Sequence, residues 1–278
     1  MRDAIVIGAR AAGSSTGMLL ARKGLDVLVV DRASFPSDTL STHQVQVPGV
    51  ARLRRWGLLD RVIASGAPAA RAVRFDVGNV VLNGHFPEFE GVDAVYSPRR
   101  TILDAILVDA ARQAGAEVRE GFTVEEISMS DGRVHGIRGR DGNGAPVTET
   151  ARLVIGADGK RSLLAGAVDT GLGGQQPLEA ALAGYQRQRD RAAIPMYDFT
   201  TELASFGPPK VETAALFAAL EGQPAEIDRF LGVITGSTPL NEYLSPGNLI
   251  KVIGVRGMAG IILSKLRQGR TRAPATIP

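Results

Sequence analysis

Three residues near the start of the chain, Gly8, Gly13 and Asp31, have types and spacings suited to one kind of chemistry. Glycines in a tight turn let backbone come close to a phosphate. A helix opening there offers unpaired N–H groups and the positive end of its dipole, and a carboxylate about 20 residues on accepts hydrogen bonds from a ribose diol. The elements that must position these residues are legible around them. Ala4-Ile5-Val6-Ile7 is a short apolar run without polar alternation, which expects cover on both faces, as in a parallel sheet. It enters Gly8-Ala9-Arg10-Ala11-Ala12-Gly13, a helical pattern follows, and Val27-Leu28-Val29-Val30 ends in Asp31. One position departs from the dinucleotide fingerprint: the second glycine, which lets the nucleotide backbone approach, is Arg10. The order strand, turn, helix, strand and acid therefore carries the reading more than the glycine count does. The alternative is an ordinary strand-to-helix turn with Asp31 as a solvated loop residue.

Other chemistries lack their context. Gly13-Ser14-Ser15-Thr16-Gly17 matches the hydrolase pattern G-x-S-x-G, but a nucleophile elbow needs the strand to end at the serine, and here it ends at Gly8. Residues 156–162 are not a phosphate-binding loop of the Walker type, because Lys160 is followed by Arg161. His85 and His135 have no second ligand at metal spacing, so no metal site follows. With no cysteine in the chain, disulfides, thiol nucleophiles and cysteine metal sites are excluded together.

Composition sets the scale. The 278 residues allow one large domain or two modest ones, and 44% hydrophobic with 22% charged residues is globular composition. The 32 basic and 29 acidic residues leave a net charge of +3, so no nucleic-acid partner is implied. No secretory signal is read at the N-terminus, where apolar runs are short and broken, and a cytoplasmic location is the expectation. Residues 249–266 carry Lys251, Arg256 and Lys265, which argues against a spanning helix.

Along the chain, residues 33–48 are rich in Ser, Thr, Pro and Asp and read as a loop holding His43, Gln44 and Gln46. A short helix follows from Gly49 and ends near Gly57. Residues 72–89 read as a hairpin turning at Gly78-Asn79. Ile102, Leu103, Ile106, Leu107 and Ala110 recur at helical spacing from Arg100 to Gly115. Three extended runs, 117–127, 134–140 and 146–155, then form an antiparallel meander with turns at Asp131-Gly132 and at 141–144. The last run delivers Gly156-Ala157-Asp158-Gly159. From residue 168 the character changes to a Gly/Gln linker, a helix from Pro177 through about Arg191 continuing irregularly to Phe206, and further helices over 211–220 and 224–233. The basic tail over 249–272, with Gly254, Gly257 and Gly260 as a smooth ridge, reads as a terminal helix packed on its own domain, with attachment to a membrane surface as the alternative.

This order of elements, ending in an apolar strand that delivers Asp158-Gly159, resembles the FAD-binding domain of the para-hydroxybenzoate-hydroxylase-like flavoproteins, the group that includes aromatic monooxygenases and geranylgeranyl-reductase-like enzymes. The resemblance covers residues 1–167 and implies an α/β, Rossmann-like FAD-binding domain, a parallel sheet plus an antiparallel meander, with a small β insertion over 72–98. A mostly helical region over 168–278 follows. It implies FAD as cofactor and NAD(P)H as electron donor. Gly8, Gly13 and Ser14 then meet the pyrophosphate, with Arg10 and Ala12 in the same turn. Asp31 meets the adenosine ribose, where most relatives have a longer Glu, and Arg32 lies by the adenosine half. Arg100 matches the family arginine that contacts the cofactor; two adjacent arginines at a helix start oppose its dipole, which itself calls for an anionic partner. Val124 matches a backbone position at the adenine, and Asp158 and Gly159 match a motif that contacts FAD and is linked to NAD(P)H use. His43 and Gln44 fall where relatives lay backbone against the isoalloxazine ring.

The sequence departs from the family after residue 167. Relatives continue with a substrate-binding sheet and a Gly-Asp motif that meets the ribityl chain. Here residues 182–190, with their Tyr185-Gln-Arg-Gln-Arg run, resemble the helix that comes after that motif, which reads as an internal deletion with its junction near Val168. Two functions are carried forward. The first is an FAD-dependent, NAD(P)H-linked monooxygenase or reductase acting on a small hydrophobic or aromatic substrate, with no side chain assigned as catalytic acid or base. The second is a non-catalytic remnant that binds FAD or ADP.

Overall fold

The structure, a computed structural model, describes residues 1–77, 80–130, 133–159, 162, 176–204, 207 and 210–271. The turns expected at Gly78-Asn79 and Asp131-Gly132, Lys160 and Arg161, the linker over 171–175 and the junction near Val168 lie outside the described residues. The chain divides into two compact units: residues 1–44, 54–68 and 97–186 form the first, and residues 45–53, 69–96 and 187–278 the second. The hairpin read as an insertion into the first domain thus groups with the C-terminal helices.

The first unit is built on a six-stranded sheet. In chain order its elements are β1 (Arg2–Ile7), α1 (Ala11–Ala21), β2 (Val27–Val30), α3 (Leu59–Ala64), α4 (Arg100–Gln113), β7 (Glu117–Arg119), β8 (Thr123–Ser130), β9 (Arg133–Arg140) and β10 (Pro146–Gly156), while α2 (Val47–Arg55) and the strands β3 to β6 (within residues 69–96) belong mainly to the second unit. The strand order is β7-β2-β1-β10-β9-β8. The first four run parallel to one another, with Ile5 beside Leu28 on one side and Val154 on the other, and β10 to β9 to β8 pair antiparallel. Residues 4–7 of β1 and all of β2 are apolar and buried, as expected of central strands whose two faces are both covered, leaving no room for polar alternation. Ile5, Ile7, Leu28, Val30, Phe122, Ile137, Ala151 and Val154 form the core on which the meander rests.

One expectation is corrected. Residues 117–127 are not a single meander strand: Glu117–Arg119 pairs parallel to β2, and only from Thr123 does the chain join the meander. Gly121, at φ +65°, turns the backbone between them, and Phe122 enters the core. The sequence concealed this because both pieces have strand character and the break occupies only three residues, Glu120 to Phe122.

The second unit holds α2 (Val47–Arg55, its last two residues outside), the two-residue strands β3 (Ala69–Ala70) and β6 (Val95–Tyr96), the hairpin β4 (Ala72–Val77) and β5 (Val80–His85), and a set of helices. These are α5 (Gln176–Ala204, from residue 187 onward), α6 (Val211–Leu220), α7 (Pro224–Thr235), α8 (Leu240–Tyr243) and α9 (Pro246–Thr271). The α5 helix runs through Pro195, where an irregular stretch was expected. The core is aromatic: Phe230 meets Phe217 edge-on at 5.5 Å between centroids, Phe75 at 6.1 Å and Phe199 at 6.4 Å. The helix α7 comes so near the hairpin that a Cβ on Gly84 would lie 2.7 Å from both Asp228 and Leu231, and Asp228 accepts the His85 N–H at 2.8 Å. The smooth glycine ridge expected in the tail is broken, since Gly254 has φ 79° and ψ 159° and interrupts α9.

Candidate functional site

Parallel strands deliver their C-terminal ends to one edge of a sheet, and the crevice just beyond that edge is where open α/β folds bind ligands. Here the ends of β1, β2 and β10 open onto a cavity of about 500 Å3 in the first unit. Gly8, at φ +99°, makes the turn from β1 toward α1; a Cβ there would stand 2.5 Å from the carbonyl oxygen of Ala157, so the exit of β10 closes against it. Gly13 sits one step further in, where a Cβ would fall 1.7 Å from the Gly8 carbonyl oxygen. Glycine is thus required at Gly8 by conformation and contact, and at Gly13 by contact.

The start of α1 faces the cavity uncapped. Its first internal hydrogen bond runs from Ser14 N–H to the Arg10 carbonyl at 2.9 Å, so the N–H groups of Ala11, Ala12 and Gly13 have no acceptor within the helix. No side chain caps this end, and no acidic residue lies in the first turn. Ala11 and Ala12 are exposed and line the cavity.

Arg10 explains how the fingerprint tolerates a missing glycine. Its backbone is extended, with φ −81° and ψ −163°, so glycine's conformational freedom is not needed. Its guanidinium is drawn aside to Asp104 at 2.8 Å and Ser37 Oγ at 3.1 Å, and lies over the Phe35 ring. Asp104, fully buried, also accepts two bonds from Arg100, Nε at 3.0 Å and Nη2 at 2.9 Å. One buried carboxylate therefore holds two guanidinium groups at the cavity wall, and the arginine pair leaves a net positive charge there. The argument that arginines at the start of α4 require an external anion is corrected in part: Arg100 pairs with Asp104, and Arg99 reaches Asp38 at 3.4 Å.

At the tip of β2, Asp31 Oδ2 accepts the Ala9 N–H at 2.7 Å and Oδ1 accepts the Ala33 N–H at 2.8 Å. The carboxylate is thereby oriented into the crevice edge, and each oxygen retains a lone pair for a further donor. Nine of the eleven residues expected from the sequence line this one cavity: Gly8, Arg10, Ala12, Asp31, Arg32, Arg100, Val124, Asp158 and Gly159. Gly13 and Ser14 stand behind it. Ser14 is fully buried, and its hydroxyl donates to the Ala9 carbonyl, where it props the turn from inside. The hydrolase-like serine, Ser15, lies within α1 and not on an elbow. His43, at φ +59°, does not line the cavity; its Nδ1 is buried without a hydrogen-bond partner among the described residues. Among the described residues no group of three or more His, Asp or Glu could hold a metal ion.

Four contributors escaped sequence reasoning. Asp104 carried a readable signal, an acid four residues after Arg100 on the same helix face. Gly17 lets α1 settle on β2, where a Cβ would meet Val29 Cγ2 at 2.5 Å. Phe122 and Thr123, which complete the wall beside Val124, depend on the Gly121 turn and had no local signal.

Comparison with known proteins agrees with this geometry. The chain is 35% identical over 174 residues to the protein FixC of Salmonella typhi, which covers 59% of this chain and 38% of FixC. It is 34% identical over 166 residues to the menaquinone reductase of Mycolicibacterium smegmatis, covering 58% of this chain and 38% of that protein. The chain thus matches well under half the length of these curated relatives. Among solved structures, the myxobacterial chondrochloren halogenase CndH, an FAD-dependent halogenase, aligns with a TM-score of 0.53 at 25% identity, covering 58% of this chain and 38% of its own. The model of the FAD binding domain matches residues 1–195, so the chain, with its glycine turn, strand-tip carboxylate and Asp-Gly exit, belongs to the FAD-binding-domain family.

Proposed function

We propose that the cavity holds FAD, with the adenosine ribose on Asp31, the pyrophosphate at the start of α1 and the adenine along Phe122 to Val124. The observation that carries this is the donor set of one cavity: an uncapped helix start, two guanidinium groups and a strand-tip carboxylate. N–H groups and positive charge suit a diphosphate, and an oriented carboxylate suits a diol. The electronegative Asp104 is no obstacle, since it is buried behind the arginines it orients. When bound, FAD supplies the redox chemistry. This chain's residues then bind its adenosine half, fix its direction across the strand ends and screen the pyrophosphate charge.

As a whole reaction we favour flavin-dependent reduction of a small hydrophobic substrate, with NAD(P)H as donor, over monooxygenation. The similarity to a menaquinone reductase supports that direction. The second reading, a chain that binds FAD or ADP and turns nothing over, is favoured by how little of the relatives' length is matched.

The test is reconstitution of the purified chain with FAD. A bound flavin spectrum that bleaches on addition of NAD(P)H supports the enzyme, bound flavin that NAD(P)H leaves unchanged supports the second reading, and failure to bind either FAD or ADP removes both. Asp31→Ala is expected to weaken FAD binding by about 1–3 kcal/mol, since it deletes a charged acceptor of the ribose hydroxyls. An affinity equal to that of the unaltered chain, in a fluorescence titration, rules the assignment out.

A further inference from the structure

The C-terminal helix α9 is built unlike the rest of the chain. Residues 246–278 hold six of the 32 basic residues, Lys251, Arg256, Lys265, Arg267, Arg270 and Arg272, and none of the 29 acidic ones. Their charge is +6 while that of the entire chain is +3, so the remainder is acidic on balance. In the same segment large apolar side chains stand in solvent: Val255 is 73% exposed, Ile262 56% and Leu263 57%. Val252, before the break at Gly254, and Ile261, after it, are the large apolar side chains of this helix that are buried among the described residues. At a helical step of about 100° per residue, Val255, Ala259, Ile262 and Leu263 fall on one outward stripe, with Arg256 at its border. The sequence continues the same period with Leu266 between Lys265 and Arg267.

Length and composition alone would let residues 240–264 cross a bilayer, at a mean hydropathy of 1.3. The backbone argues otherwise. Gly254 leaves the helical conformation, and a break facing lipid would strand backbone N–H and C=O groups without partners. The helix beyond it, residues 255–271, is shorter than the roughly 20 residues a span needs and contains four basic residues. An apolar stripe with basic borders on a helix of this length instead suits the plane of an interface, where apolar side chains enter the acyl boundary and the basic ones meet anionic headgroups. A protein partner would have to match both an apolar strip and a run of positive charge; an anionic lipid surface supplies both together.

We propose that residues 255–271 form an in-plane anchor that seats this chain on anionic lipid, with Val255, Ala259, Ile262 and Leu263 inserted. The proposal is independent of the FAD reading. It is tested on the full chain by flotation with vesicles of phosphatidylcholine alone and of phosphatidylcholine mixed with phosphatidylglycerol. The chain is expected to float with the mixed vesicles and not with the neutral ones, less so as salt rises. The double change Ile262→Asp with Leu263→Asp is expected to weaken binding by about tenfold or more. Both positions are exposed, so the thermal unfolding of that variant should match the unaltered chain; a single Val255→Asp variant serves if it does not. No flotation with anionic vesicles overturns the proposal, as does binding that the aspartates leave unchanged. A stable dimer that the aspartates split also overturns it, by assigning the stripe to a second copy.

Discussion

Gly13→Ala is expected to cost about 3 kcal/mol or more of stability and to abolish FAD retention. The added methyl would need to lie 1.7 Å from the carbonyl oxygen of Gly8, well inside van der Waals contact and against backbone that cannot rotate away. Relief requires α1 to lift from the turn, which takes the first-turn N–H groups out of the cavity. Gly159→Ala is the control. Gly159 also lines the cavity and has φ +81°, but a Cβ there meets nothing within 4 Å. That variant should lose only about 1 kcal/mol, from backbone strain. Urea unfolding with an FAD titration on each variant decides it: similar small losses would mean that the helix start is not held by close packing.

Asp104→Ala is expected to have the second largest effect, a loss of about 2–4 kcal/mol. It removes a fully buried carboxylate and leaves Arg10 and Arg100, each mostly shielded from water, without the acceptor that orients them. Both guanidinium groups lose their geometry together, so FAD binding is expected to weaken along with stability. Asp104→Asn should be milder, since an amide oxygen in the place of Oδ2 still accepts two of the three bonds. Combining Arg100→Met with Asp104→Leu should recover part of the stability but not the FAD affinity, which separates the packing role from the role at the cavity wall. Thermal unfolding of the four proteins measures this. A loss below about 1 kcal/mol for Asp104→Ala would show that Arg10 and Arg100 are held by other contacts.

Which parts of this were legible beforehand follows from what each depends on. The first strand-turn-helix-strand was readable because its signals are local: unbroken apolar runs, a glycine that must take a positive φ, and a carboxylate at a strand tip. The helix opening at Arg100 was readable from its period. The split of residues 117–127 was not, because two strands that pair with different partners look alike in composition, and a three-residue break is too short to read as a loop. Arg10 looked like an obstacle because the fingerprint is written for backbone approach; that the side chain leaves the path is settled by Asp104 and Ser37, remote in sequence.

By itself the sequence determined the nucleotide-binding βαβ, the identity of the residues gathered at its edge, and a C-terminal segment with basic charge and no acid. Only the tertiary structure decided which glycines are sterically compelled, that Ser14 props the turn from behind and does not line the cavity, that Asp104 commands both arginines, and that the apolar stripe of α9 points outward. The reason is physical. Periodicity and residue type set which surfaces a segment can bury, whereas contact distances, shared ion-pair partners and the choice of the face left in water arise only once segments distant in sequence compete for the same space.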